Sequence, residues 1–232
     1  MIIRDLIQRV TTLYSKGAEN DDTRLSDKYV YSKLLSSRSR ILEQKLNKRQ
    51  HVNEFNYQTL KIEMEQVNPV DSVGYELPDC NISQSVNDLP ETLNSIYNQG
   101  IKSVSTLDGV LTGSIEYSRK TFEETKYSKG NKYTNKSGNS YHTLGRKLRV
   151  VSEKTPRYLL VRGLFADPIA VAEANGDICS TCGDIRDLDF AIDPAEVEAL
   201  ITLTIQECVV SFSQVVEDRR NDTSDDPPEK TK

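Results

Sequence analysis

The run Cys179-Ser-Thr-Cys182 has the spacing at which two thiolates can converge on one zinc ion. A structural zinc site usually takes four Cys or His ligands, and Cys80 and Cys208 come without a further ligand at a suitable spacing. A redox pair would need a helix N-terminus beside it, whereas Gly176 and Gly183 predict a turn. Ordinary loop cysteines are therefore the favoured interpretation, with zinc held by Cys179 and Cys182 as the main alternative.

Catalytic signatures are missing from the rest of the sequence. Its two histidines, His51 and His142, stand among polar residues and in no His-Glu-x-x-His pattern. No serine lies in a Gly-x-Ser-x-Gly turn, and no glycine-rich loop precedes a Lys-Ser or Lys-Thr pair. The acidic residues are scattered, as on solvated surfaces. The sequence therefore predicts a protein that is not an enzyme and takes no cofactor.

The stretch 126–149 is a candidate for binding an acidic partner, because it contains seven basic residues and no Asp or Glu. Tyr127, Tyr133 and Tyr141 are interleaved among them. Cations that follow phosphates, with rings that stack, suit a nucleic acid. The same composition suits the exposed tip of a hairpin, and both interpretations stay open. The basic residues are Lys126, Lys129, Lys132, Lys136, Arg146, Lys147 and Arg149.

Two amphipathic helices are predicted to precede this loop. Apolar residues at steps of three and four predict the first helix over about 2–16, with Gly17 ending it. The second is predicted from Ser26, a good N-cap residue, to Gln50. The short connection between them favours an αα-hairpin.

The second helix is predicted to have a basic back opposite its apolar stripe. A solvated face is the plainer interpretation, and a surface facing nucleic acid or an acidic partner is the sharper one. Lys33 and Arg38 are the candidates for such contact. The basic residues of this helix are Lys28, Lys33, Arg38, Arg40, Lys45, Lys48 and Arg49.

A third helix is predicted over Asp193 to Val216, with Asp193 as N-cap and Pro194 at the first helical position. Its apolar residues cover more than one face, so we expect it to be buried on most sides and to contact a neighbouring subunit, with Leu200 and Val209 as candidates. Between the helices, alternation from Leu60 onward and turn signals predict strands.

Together these elements predict an α+β fold. Its predicted core is a helical bundle, made of the N-terminal αα-hairpin and the long C-terminal helix, with a mainly β module inserted. The predicted domains are a discontinuous helical bundle (1–57 and 193–217), a β-rich module with long loops (58–192) and a flexible C-terminal arm (218–232).

Composition limits what this fold can do. Only 36% of the 232 residues are hydrophobic and none is Trp, so we expect surface to be buried against copies of the chain. The formal net charge of −5 excludes a basic nucleic-acid binder, and any affinity for DNA has to be local. No apolar run approaches the ~20 residues of a membrane helix, and the N-terminus does not resemble a signal peptide.

Several N-terminal motifs resemble the opening of a virion protein of crAss-like short-tailed phages. The motifs cover about the first quarter of the chain, and they are Ile3-Arg4-Asp5-Leu6, Lys16-Gly17, Asp21-Asp22-Thr23-Arg24-Leu25-Ser26, Tyr31, Lys33, Leu34, Ser37-Arg38-Ser39 and Asn56-Tyr57-Gln58-Thr59-Leu60. The resemblance implies an adaptor of the head-to-tail connector that forms a dodecameric ring beneath the portal. It also implies contact with the portal, with neighbouring tail or ring proteins and, non-specifically, with DNA in the channel. The expected location is the virion, and the host cytoplasm during assembly.

The alternative from a different class is a phage-encoded DNA-binding or regulatory protein. It would use the basic back of the second helix and the loop 126–149. The acidic net charge argues against it, and so does the lack of a short recognition helix after a tight turn.

The C-terminal arm generates the first testable prediction. It carries no apolar residue, so it buries too little surface to fold alone, although it can order on a partner. Truncation after Asp218 should lower portal binding, measured by co-sedimentation, while the melting temperature stays unchanged. Unchanged portal binding would make the arm a solubilising tail.

Overall fold

The computed structural model describes residues 1–17, 25–67, 81–94, 100–106, 115–121, 124, 139–152, 155–176 and 184–213. Within these residues the α-helices are α1 (Ile3–Tyr14), α2 (Asp27–Asn47), α3 (Pro168–Asn175) and α4 (Val197–Ser213). The strands are β1 (Gln58–Gln66), β2 (Asn81–Ser85), β3 (Ile101–Thr106), β4 (Ser118–Arg119), β5 (Ser140–Leu144), β6 (Lys147–Ser152) and β7 (Tyr158–Gly163). Short 3-10 turns lie at Glu54–Asn56, Ile185–Asp187 and Pro194–Glu196.

The seven strands form one sheet in the order β3-β7-β1-β2-β6-β5-β4. Neighbouring strands are antiparallel except for β4 and β5. Residues just before β4 also reach the opposite edge, where the Tyr117 N–H donates to the Val104 carbonyl of β3 at 2.9 Å. Ser105 and Glu116 form an antiparallel bridge there. The segment 115–119 thus joins both edges, and the sheet is nearly closed into a barrel.

Alternation along the strands fills this barrel with apolar side chains. On β1 the residues Leu60, Ile62 and Met64 are buried while those between them are exposed. Leu60 is opposite Val161 and Ile62 is opposite Leu159, so buried residues of β1 and β7 share the inner face. Other members of the same core come from β3, β5 and β6, from segments between the strands and from α3.

α3 covers the edge of β1 that β2 leaves unpaired, because β2 pairs only with the last residues of β1. The Lys61 N–H donates to Asn175 Oδ1 at 2.8 Å, and Asn175 Nδ2 donates to the Thr59 carbonyl at 3.0 Å. The side-chain amide of Asn175 therefore replaces a neighbouring strand. Val171 of α3 contributes to the barrel core.

Helices α1, α2 and α4 pack together into a second core with Phe190 and Ile192. Ser26 caps α2 by accepting a hydrogen bond from the Tyr29 N–H at 3.3 Å. A third, smaller cluster contains Leu42 of α2 together with Leu164, which follows β7. Helices and barrel therefore share buried surface.

The guanidinium of Arg38, on α2, lies at this junction with no exposed surface. Nε donates to the Ala191 carbonyl at 2.7 Å, Nη1 to the Phe165 carbonyl at 2.6 Å, and Nη2 to the Asn56 carbonyl at 3.3 Å. Its carbon Cζ is 5.8 Å from the centre of the Phe190 ring. One side chain thus ties α2 to three separate segments of the chain.

An acidic neighbour offsets part of the cost of burying this charge. Tyr31 donates from its hydroxyl to Asp167 Oδ1 at 2.7 Å, and both groups favour the charged form of Arg38. Burial nevertheless lowers the pKa of Arg38 to about 10, so the guanidinium stays charged at neutral pH. Burial, and then the hydrogen bond to Asp167, raise the pKa of the Tyr31 hydroxyl.

The predicted fold class is wrong. A helical bundle of αα-hairpin and C-terminal helix with an inserted mainly β module was expected, whereas in the described residues the nearly closed seven-stranded sheet dominates, accompanied by four helices. Long helical periodicities are easily recognised in a sequence, so they received too much weight. The closure through 115–119 depends on a two-residue strand and one bridge, which leave no periodic pattern.

Individual helices agree with expectation. α1 and α2 lie within their predicted limits, Ser26 is the N-cap of α2, and Asp193 accepts a hydrogen bond from the Ala195 N–H at 3.0 Å before α4. The C-terminal helix begins as a 3-10 turn, so α4 itself starts at Val197. Among the helices of the described ranges, none combines the length and the apolarity that crossing a membrane takes.

Arg38→Met should destabilise the protein while keeping most of the aliphatic packing. It leaves buried carbonyl groups without a donor, so the free energy of unfolding should fall by about 2–4 kcal/mol in a denaturant titration. Arg40→Met, at an exposed position of the same helix, is the control and should change it by no more than about 0.5 kcal/mol. Equal effects would mean that the buried guanidinium has no special role.

Candidate functional site

Several predicted site residues fall outside the described part of the chain. They include the first half of the basic loop, the C-x-x-C pair and the C-terminal arm. The single residues concerned are Lys126, Lys129, Lys132, Lys136, Cys179 and Cys182. Among the residues that are described, no group of three or more His, Cys, Asp or Glu side chains is placed to hold a metal ion.

The two candidates on α2 have different environments. Arg38 was assigned to an exposed basic back, and that assignment is wrong because its side chain is buried at the junction of helices and barrel. Lys33 is partly exposed, with its ammonium 5.6 Å from the centre of the Tyr29 ring. Lys28 and Arg40 are exposed, so part of the basic back does face solvent.

Arg146 and Lys147 lie at the turn between β5 and β6, on the barrel. Gly145 makes this turn with φ of +60°, a conformation that glycine adopts readily. Lys147 donates to the Val86 carbonyl, and its Nζ is 3.4 Å from Asp88 Oδ1. Arg146 lines a cavity of about 430 Å³ together with Glu91. These two candidates therefore lie on the barrel, whereas Lys33 lies on a helix.

Leu200 and Val209, the two candidates on α4, also differ. Leu200 has no exposed surface and belongs to the helical core. Val209 is 49% exposed, and its neighbour Val210 is also exposed. Of the two, Val209 is the one whose side chain a partner can reach.

A cluster that sequence analysis missed lies on the outside of β1, β7 and β3. The carboxylate of Glu54 pairs with both Lys102 and Arg162. Both cations also lie over Tyr57, with Lys102 Nζ 4.5 Å and Arg162 Cζ 5.9 Å from the ring centre. Phe55, which follows Glu54 in the same 3-10 turn, is 64% exposed. We call Glu54, Phe55, Tyr57, Lys102 and Arg162 the Tyr57 face.

A second tyrosine lies on the same sheet in a similar arrangement. Lys61 Nζ is 4.8 Å and Arg157 Cζ is 5.2 Å from the centre of the Tyr158 ring. Arg157 Nε lies 3.9 Å from Glu63 Oε1. Cations stacked on aromatic rings lose little further freedom on binding, so these side chains are suited to contact a protein surface.

The Tyr57 face is anchored to the core through the turn that carries it. Asn53 Nδ2 donates to Asp193 Oδ2 at 2.8 Å, and the Asp193 N–H donates to Asn56 Oδ1 at 3.0 Å. The Asn56 carbonyl accepts from the buried Arg38. The turn is therefore held from α2 and from the start of the C-terminal helix.

Electrostatics keep the Tyr57 face charged. The hydrogen bond from Lys102 is the largest cause that lowers the pKa of Glu54, and the charge of Arg162 lowers it further. The two cations remain paired to this carboxylate at neutral pH. The face offers aromatic surface, cations and one carboxylate, a combination that suits recognition.

His142 is buried in strand β5. Burial, and then the charge of Arg149, lower the pKa of this imidazole, so it is neutral at neutral pH. Arg149 Nε donates to Gln84 Oε1 at 2.8 Å. The residue is 6% exposed and lies among other buried residues of β5.

The sequence held only a weak signal for the Tyr57 face. Its members are separated by up to 108 positions and meet only through the pairing of β1, β7 and β3. The sequence pattern that came closest to indicating it was two aromatic residues, Phe55 and Tyr57, just before the alternating pattern of β1. Cation–π pairs between strands depend on the register of the sheet, and residue propensities do not predict that register.

Comparison with known proteins gives one family. A family model described as phage tail ring protein 2, from crAss-like phages, matches residues 5–227. No curated protein matches the chain.

The carboxylate of Glu54 gives a pH-dependent prediction. A lowered pKa in the folded state means that its contribution to stability is present above the ordinary value of 4.5 and is lost as the pH falls through the folded value. Glu54→Gln should therefore lower the melting temperature at pH 7, and the deficit should shrink below pH 4.5. Glu65→Gln, which removes an exposed carboxylate of β1, is the control. A deficit that is the same at pH 7 and below pH 4.5 would contradict the pairing.

Proposed function

We propose that this chain, which belongs to the phage tail ring protein 2 family of crAss-like phages, is the adaptor ring of the head-to-tail connector. As a member of the family it is a structural component of the phage tail, located in the virion, that assembles with other tail components. In the proposed role it docks on the portal and joins the portal to the tail. The DNA passes through the middle of the ring.

The observation that carries this proposal is the family match over residues 5–227, which covers almost the whole chain. The resemblance of the N-terminal motifs to connector adaptors adds the position beneath the portal and a ring of twelve copies. Closed rings of identical subunits use two different patches on each subunit, one for each neighbour. The surface should therefore carry at least two contact regions, and the Tyr57 face and the exposed end of α4 are candidates.

The rigidity of the fold supports a load-transmitting role. Arg38 joins α2 to segments that flank the barrel, and the turn bearing the Tyr57 face is fixed by the same side chain. A ring that holds a pressurised head on a tail must pass force between subunits without unfolding. A buried, multiply bonded junction between helices and sheet serves that purpose.

The proposed position between the portal and the tail implies several binding partners. They are further copies of the chain, the portal, neighbouring tail or ring proteins and, without sequence preference, the DNA in the channel. The basic loop 126–149 is a candidate for the last contact, and the arm 218–232 is a candidate for reaching into the portal. During assembly the protein would be in the host cytoplasm.

A DNA-binding regulator is the weaker account. It would need the basic back of α2, yet Arg38 at its centre is bonded inside the fold. α2 also packs along α4, so it is a core helix rather than a projecting recognition helix. We propose no enzymatic activity, since a structural ring needs none.

Val209→Asp tests the involvement of α4. Because Val209 is half exposed, the variant should fold with an unchanged melting temperature, yet bind purified portal or enter tails at least about tenfold less well. Gln206→Asp, at an exposed position of the same helix, is the matched control. Leu200→Asp is uninformative about assembly, because burial of that side chain predicts unfolding.

The adaptor role itself is tested by mixing the chain with portal. Electron microscopy should show an added ring of twelve copies on the tail-facing side of the portal. Binding to a later tail component, with none to the portal, would contradict the adaptor role and leave the chain a tail ring protein.

A further inference from the structure

The Tyr57 face has the composition of a protein interface rather than of a DNA-binding surface. Around it, on β1, β3, β7 and their flanks, four cations stand against three carboxylates. A nearly balanced surface releases few counterions from DNA, so phosphates gain little from it. Tyr, Phe and Arg are enriched in the cores of protein interfaces. The charged residues counted are Lys61, Lys102, Arg157, Arg162, Glu54, Glu63 and Glu65.

Phe55 is the natural anchor of this interface. It is 64% exposed, although burying a Phe side chain stabilises a complex by roughly 1.5–3 kcal/mol. The hydrogen bonds of Asn53 and Asn56 hold its turn in place, so little chain entropy is lost when it docks. An exposed aromatic next to Glu54, whose carboxylate is outnumbered by Lys102 and Arg162, suits a partner with an apolar surface and a nearby carboxylate.

The outer face of α1 offers a shallow apolar surface, open to solvent, on the same chain, and we call it the α1 groove. It has a volume of about 580 Å³ and is lined along the helix by Met1, Asp5, Gln8, Arg9, Thr12 and Leu13. Leu13 is 54% exposed and Met1 is 41% exposed, so the groove has an apolar surface open to a partner. Arg9 Nη2 is paired with Glu198 Oε1 at 2.7 Å. Within the described residues, Asp5 lies in no ion pair, and its carboxylate is available at the rim.

We infer that Phe55 of one copy of the chain seats in the α1 groove of the next copy around the ring, with Lys102 facing Asp5. The inference rests on the proposed function, because it takes the partner to be a second copy in a ring. The two patches are different surfaces, as a head-to-tail ring contact requires. The apolar anchor meets the apolar groove, and the cation meets the carboxylate.

Photo-crosslinking from position 55 tests this contact. Phe55 is replaced by benzoylphenylalanine, the variant chain is supplied to infected cells, and tails are purified and irradiated. The expected product is a dimer of the chain whose crosslinked peptide, read by mass spectrometry, comes from α1. The control carries the same group at Leu144, an exposed residue of the β5–β6 turn, and should give no product with α1.

The outcomes separate this inference from the proposed function. Crosslinking to another protein, to another part of the chain or to nothing, in tails that contain the variant, would overturn the inference and leave the ring function intact. Absence of the unmodified chain from the connector would overturn the proposed function instead.

Charge exchange gives a second test if the crosslinkable variant fails to enter tails. Asp5→Lys alone and Lys102→Glu alone should each lower incorporation by about tenfold. The melting temperature should stay unchanged in Asp5→Lys, whereas Lys102→Glu should lower it because the ion pair with Glu54 is lost. The double variant should recover most of the incorporation, though not the melting temperature, since the pair between copies is restored with reversed sign. A double variant no better than the worse single variant would contradict the contact.

Discussion

The hydrogen bonds of one buried arginine, Arg38, hold the helices against the barrel. The guanidinium of Arg38 has no exposed surface and donates to the main-chain carbonyls of Asn56, Phe165 and Ala191. These carbonyls belong to the turn after α2, the segment after β7 and the segment before α4. A buried charge is tolerated only when its donors are satisfied, so the three segments have to meet at this point. The placement of the helices against the barrel depends on this requirement.

The hydrogen bonds of Arg38 also fix the turn that carries the Tyr57 face at the surface. The turn that accepts a hydrogen bond from Arg38 through Asn56 also carries Phe55, and it leads directly into Tyr57 and β1. The Tyr57 face is therefore an extension of the core rather than a loose loop. A ring subunit benefits from this arrangement, because a contact surface fixed to the core can pass force from one neighbour to the next. Family membership and the interior of the fold thus favour the same role.

Parts of this structure could be predicted from the sequence and parts could not. The Ser26 cap and the alternation of Leu60, Ile62 and Met64 follow from local rules, and the structure confirms them. The spacing of Arg38 did indicate burial, because Arg38 lies four residues after Leu34 and four before Leu42, within the apolar stripe. Its charge suggested an exposed position instead. Closure of the barrel through 115–119 had no local signal, because it depends on pairing between distant segments. The Tyr57 face depends on the same long-range register.

If Arg38 makes the helices and the barrel one cooperative unit, α2 and β7 must open together. Amide hydrogen exchange of the native protein, followed separately for α2 and for β7, measures this. We expect the slowest amides of both elements to exchange with the same free energy of opening in the wild-type chain. In Arg38→Met the two values should separate, with one element opening before the other. Separate values already in the wild-type chain, or equal values in the variant, would mean that Arg38 does not couple the two elements.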